Sequence, residues 1–122
     1  QCSLRFKEDA VTAIELSGYS DVYGIVHDTF HHYLSGETKI FPQYTGLVHI
    51  SGVEGEKSMK EISDDDRIHI TSNDIMANAT QIRDLMKGNF GGYYSFECFS
   101  SSVRPEDIVV SRDYLFPEGG RT

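Results

Sequence analysis

The densest group of residues that could do chemistry is the run His27-Asp28-Thr29-Phe30-His31-His32, which holds three of the chain's five histidines. If this run is helical, His27 and His31 stand one turn apart on the same face. Two imidazoles with that spacing can hold a zinc ion. The run therefore permits a small metal-dependent hydrolase that uses the His27/His31/His32 cluster.

A zinc site also needs further ligands, and here the pattern is weaker. An apolar frame surrounds the histidine run and resembles the one around the H-E-x-x-H helix of zincin metalloproteases. Asp28 stands where that motif has Glu, and its carboxylate is one methylene shorter. Glu37 and His49 are available as third ligands, but neither lies at a recognised spacing. A metal site of His27, His31 and His49 is therefore the alternative hypothesis, and the main expectation is a chain with no metal and no cofactor.

Two further histidine patterns permit phosphoester chemistry. The pair His31-His32, followed by the single His49, loosely resembles the histidines of HNH-type nucleases, in which one binds metal and another is a general base. The triplets 49–51 and 69–71 are each His-Ile followed by Ser or Thr, as in 2H phosphoesterases. Strand alternation accounts for the triplets, because it turns each Ile to the core and each His outward. A nuclease stays part of the enzymatic alternative.

Charge patterning points away from nucleic acid. The formal net charge is −8, and residues 8–38 contain no Lys or Arg. Such a field repels phosphate groups and anionic lipids and attracts a basic surface. The charge therefore predicts a basic protein partner, with no nucleic acid and no membrane. The residues expected to form this acidic face are Glu8, Glu15, Asp21, Asp28 and Glu37.

Hydrophobic spacing and punctuating residues predict the elements that position these side chains. Three helices are expected: 8–16, ending at Gly18; a second that is capped at Ser20-Asp21 and ends at Gly36; and Asp74–Lys87. For the second, Gly24 inside the run leaves a strand as the alternative. The core stripe of the third helix is predicted to be Ile75, Ala79, Ile82 and Met86. Strands are expected at 3–6, 39–41, 47–50, 67–71, 93–99 and 108–110.

This order of elements predicts a single α+β domain over residues 1–122, with a mainly antiparallel sheet and two to three helices packed on one side. No catalytic constellation is complete, so the sequence favours a small acidic non-enzymatic binding protein of the inhibitor, immunity or antitoxin type. The alternative is the metal-dependent hydrolase or nuclease. The cytoplasm is slightly favoured as the compartment.

Overall fold

The computed structural model describes residues 6–117 of the chain. In chain order its elements are α1 (Lys7–Ser17), β1 (Ile25–Asp28), α2 (Thr29–Ser35), β2 (Thr45–Ile50), α3 (Asn78–Lys87), β3 (Tyr93–Phe96) and α4 (Pro105–Leu115). Two short 3-10 helices, Pro42–Tyr44 and Asp64–Asp66, lie in the connections.

The sheet has three strands in the order β1-β2-β3, and both pairings are parallel. The prediction of a mainly antiparallel α+β sheet is therefore wrong. Parallel strands need long crossover connections, usually with a helix, and α2 and α3 lie in these two connections. Of the other predicted strands, 39–41 is irregular, 67–71 forms only one isolated bridge, and 108–110 lies inside α4. The predicted strand 3–6 falls mostly outside the described residues.

The second predicted helix is wrong over its first half. It was expected to run from the cap at Ser20-Asp21 to Gly36, but β1 occupies part of that stretch and α2 begins only after Asp28. The Asp28 side chain accepts hydrogen bonds from the backbone N–H groups of Phe30 and His31, and this is how an N-cap residue starts a helix. The predicted end is confirmed, since Gly36 caps α2 in the left-handed conformation with φ 74°.

The first helix agrees with its prediction, and the third agrees in part. α1 ends at Gly18, which has φ 76°. α3 begins later than predicted and buries Ile82 and Leu85. Ala79 and Met86 were expected in the core and are exposed instead, so the buried stripe is rotated relative to the predicted one.

The main core lies on one face of the sheet. Val48 and Ile50 of β2 are fully buried and pack with Ile82 and Leu85 of α3. Because side chains alternate along a strand, His49 points to the opposite face. Within residues 6–117, no helix is long and apolar enough to cross a membrane.

Candidate metal centre

Strand register brings three polar side chains to one edge of the sheet. Asp28 is the last residue of β1, and its Cα partner on β2 is His49. His49 is in turn the partner of Ser95 on β3, and Glu97 lies two positions beyond Ser95 on the same face. The backbone N–H of Glu97 donates to the carbonyl of Ile50 at 2.9 Å, which continues the pairing past the end of β3. The carboxyl ends of the parallel strands therefore present Asp28, His49 and Glu97 together.

These three side chains form a compact cluster of ligand-type atoms. His49 Nδ1 lies 3.3 Å from Glu97 Oε2 and 3.9 Å from Asp28 Oδ2. One ligand atom from each residue lies within 4.8 Å of the other two. Their side chains are 22%, 33% and 13% exposed for His49, Glu97 and Asp28, so each remains reachable from solvent. The cluster is therefore partly buried and still open to solvent.

The spacing fits a single transition-metal ion. Two ligands about 2.1 Å from a tetrahedral zinc ion lie about 3.4 Å from each other. The observed 3.3 Å between His49 and Glu97 matches this value, and the 3.9 Å to Asp28 needs only a small side-chain adjustment. One imidazole and two carboxylates suit Zn²⁺, Mn²⁺ or Co²⁺. Residues 6–117 supply three ligands, which is the number that the protein gives in catalytic zinc sites, where water or substrate takes the fourth position.

Two solved structures resemble the chain, although no family model and no curated protein matches it. The first is a xylose isomerase domain containing protein from Salmonella typhimurium LT2, with a TM-score of 0.68 and 30% identity. The second is the IOLI protein with a bound zinc atom, with a TM-score of 0.67. At 20% identity, this second resemblance shows the fold alone. The fold is thus similar to part of a xylose isomerase-like TIM barrel.

The chain spans less than half the length of either structure. It matches the first over 87% of its own length and 39% of the other's, and the second over 94% and 45%. These resemblances favour the enzymatic alternative, and they give no support to the predicted inhibitor, immunity or antitoxin-type protein. In a TIM barrel, active sites lie at the C-terminal ends of the strands, and the Asp28/His49/Glu97 cluster has that position.

The predicted histidine cluster is not assembled as expected. His27 lies on β1 and His31 on α2, so the two are not one helical turn apart. His27 faces the core opposite to Asp28 and is fully buried, while His31 is exposed. Of the three predicted metal ligands, only His49 belongs to the metal-type cluster.

His27 and His32 instead belong to a buried network behind the sheet. Their rings lie 4.7 Å apart, and Gln81 Oε1 accepts from His27 Nε2 at 2.7 Å. Lys7 Nζ donates to His32 Nδ1 at 3.0 Å and lies 3.8 Å from Glu37. Burial lowers the pKa of each histidine to about 4, and the positive charge of the nearby Lys7 ammonium adds to this effect. Both imidazoles are therefore neutral at pH 7.

The five acidic residues of the predicted partner face have different surroundings. Asp21 is exposed in a turn before β1. Glu8 is exposed and lies 3.5 Å from the Lys39 ammonium. Glu15 accepts from the Tyr44 hydroxyl. Asp28 belongs to the ligand cluster, and Glu37 is 9% exposed beside Lys7. The basic protein partner stays a prediction, and the side chains of Asp28 and Glu37, two of its five proposed contact residues, are mostly buried.

The two His-Ile triplets, 49–51 and 69–71, lie on neighbouring segments. The segments that carry the two His-Ile triplets meet at a single antiparallel bridge, Gly52 with Ile68. Ser51 is fully buried and accepts from Arg67 Nε at 2.7 Å, so its hydroxyl has a structural partner. Glu97 was not among the ligands predicted from the sequence. The available signal was an acidic residue at the carboxyl end of each of two strands, Asp28 as the last residue of β1 and Glu97 just after β3, because such residues meet at one edge of a parallel sheet.

Proposed function

We propose that the chain provides the divalent metal centre of an enzyme that acts on a small polyhydroxylated substrate, with Asp28, His49 and Glu97 as protein ligands. The observation that carries this proposal is the convergence of their ligand atoms within 4.8 Å at the carboxyl ends of three parallel strands. A buried structural metal site would have a closed set of four ligands, whereas this cluster has three and is partly exposed.

The substrate class follows from the open coordination positions and from the resemblances. A bound divalent cation polarises a carbonyl oxygen and orients a neighbouring hydroxyl group. A small carbonyl compound with adjacent hydroxyl groups offers two oxygens to such a cation. The resemblance to a xylose isomerase domain containing protein supports this choice. Asp28 and Glu97 supply the negative charge that holds the cation, and His49 supplies the nitrogen ligand.

Calorimetric titration of the metal-free protein with Zn²⁺ and Co²⁺ tests the metal centre. His49→Ala removes the nitrogen ligand, and Glu97→Gln replaces a charged carboxylate oxygen with a neutral amide oxygen, so each should weaken binding at least about tenfold. His31→Ala is the matched histidine control, because His31 is exposed and lies outside the cluster. Glu106→Gln is the carboxylate control. Equal binding by His49→Ala and the wild type, or loss of binding in His31→Ala, would contradict the assignment.

A second measurement tests the substrate class. The protein loaded with Mn²⁺ should enhance water-proton relaxation, because water occupies the positions that the protein leaves open. A short polyol such as xylitol should displace this water and lower the enhancement, whereas propanol, with a single hydroxyl group, should not. The same response to both alcohols would remove the support for a polyhydroxylated substrate while leaving the metal centre in place.

A further inference from the structure

Arg67 is a buried cation beside the candidate metal centre. The residue is 1% exposed, and its Nη2 donates to Asp28 Oδ2 at 2.8 Å. Its Nε donates to Ser51 Oγ at 2.7 Å, and Nη1 lies 3.4 Å from the carboxylate of Asp64. These contacts depend on the planar guanidinium group, whose N–H donors point in several fixed directions. The single ammonium group of lysine cannot donate in the same set of directions.

Two aromatic rings hold the guanidinium from other directions. Its central carbon lies 4.6 Å from the centroid of the Phe30 ring and 5.0 Å from that of the Phe99 ring. Both distances are within the range of cation–π attraction. Phe30 is itself 2% exposed, so at least one of these rings is fixed by the core. The guanidinium group is therefore held in place independently of any metal.

The Asp28 carboxylate is held at both of its oxygens. Oδ1 accepts from the backbone N–H groups of Phe30 and His31 at 3.0 and 3.1 Å. Oδ2 accepts from Arg67, and the same oxygen lies 3.9 Å from His49 Nδ1. The oxygen that Arg67 holds is thus the one that faces the other ligands.

We propose that Arg67 is a positioning residue of the metal centre, which fixes Asp28 Oδ2 in the orientation that lets Asp28, His49 and Glu97 bind one cation. This inference rests on the proposed function. Groups that hydrogen-bond to metal ligands typically change metal affinity about 10–100-fold. The hydrogen bond from Arg67 to Asp28 should raise the metal affinity by this mechanism. The positive charge of Arg67 should lower the metal affinity, because it repels a cation. The two effects can therefore be separated by experiment.

The test is titration with Co²⁺, read by affinity and by the visible absorption spectrum of the bound ion. Arg67→Lys keeps the positive charge and loses the planar guanidinium group, whereas Arg67→Gln loses both. Both variants should bind Co²⁺ at least about tenfold more weakly and shift its spectrum, since the orientation of a ligand changes. Arg112→Lys is the control, because the Arg112 guanidinium is 53% exposed and pairs with Asp113 rather than with a ligand of the cluster, so both readouts should stay unchanged.

The outcomes separate this inference from the proposed function. If the wild type binds no Co²⁺ in a His49-dependent manner, the proposed function fails. If the wild type binds Co²⁺ and Arg67→Gln binds it equally or more tightly with an unchanged spectrum, only the positioning role is overturned. Should both Arg67 variants fail to fold, Ser51→Ala removes the Nε acceptor and keeps Arg67. An unchanged Co²⁺ spectrum in that variant would also overturn the role.

Discussion

Mild acid should destabilise the protein through His32, whose side chain is 8% exposed. Burial disfavours the charged imidazolium, the Lys7 ammonium adds to this effect, and Glu37 opposes it, so that the pKa falls from 6.5 to about 4. Lys7 Nζ can only donate, and His32 Nδ1 must therefore accept and stay unprotonated. Because folding lowers this pKa, the stabilising contribution is fully present above pH 6.5 and is lost as pH falls towards 4.

The magnitude follows from the two pKa values. At about pH 5, a histidine in the unfolded chain is almost fully protonated, whereas the folded protein keeps His32 mostly neutral. The difference lowers the free energy of unfolding by about 2 kcal/mol relative to pH 7. A typical domain has a total stability of roughly 5–15 kcal/mol, so the loss should be easy to detect.

Urea denaturation of the metal-free protein, followed by circular dichroism between about pH 7 and pH 5, measures this loss. In His32→Gln the amide oxygen can still accept from Lys7 but does not titrate, so the variant should lose about 2 kcal/mol less than the wild type over that range. His31→Gln is the control and should follow the wild type, because His31 is exposed. The reasoning is refuted if His32→Gln and the wild type lose the same stability on acidification.

Two further predictions concern the stability of the main core and of a position where two backbone segments lie close together. Ile82→Ala should lower the free energy of unfolding by about 2–4 kcal/mol, because Ile82 is 2% exposed in the main core. Met86→Ala, at a 42% exposed position, should cost clearly less, and equal denaturation midpoints for the two would contradict the observed α3 face. Gly52→Ala should cost about 1–3 kcal/mol, because its Cβ would meet a backbone carbonyl oxygen at 2.8 Å. Gly91→Ala has open space and should be nearly neutral in the same urea titration.

The sequence predicted those parts of the fold that are encoded locally. Gly18 and Gly36 end helices as predicted, because a left-handed glycine is a signal carried by one residue. The start of α2 was missed because the apolar spacing of β1 runs on into the helix with no break in period. α4 was misread as a strand because Ile108-Val109-Val110 is β-branched, although Pro105 suits the first turn of a helix.

The candidate site could be predicted only in part, for a different reason. His49 was identified as a possible metal ligand, but its partners were sought near it in sequence. Asp28 was assigned to the acidic partner face, and Glu97 was not among the candidate residues. Their convergence depends on the parallel register of β1, β2 and β3, and no local pattern in the sequence states which strands are neighbours.

The parallel sheet also determines when the candidate site can form during folding. The backbone hydrogen bonds of α1, α2 and α3 form within short stretches of chain, whereas β2 meets β3 only after the long connection through α3 has closed. Closing such a connection costs chain entropy before any pairing compensates for it, so topologies of this kind fold slowly. Asp28 and His49 are joined by the shorter crossover, and Glu97 arrives by the longer one. The ligand set is therefore complete only once the pairing most distant in sequence has formed.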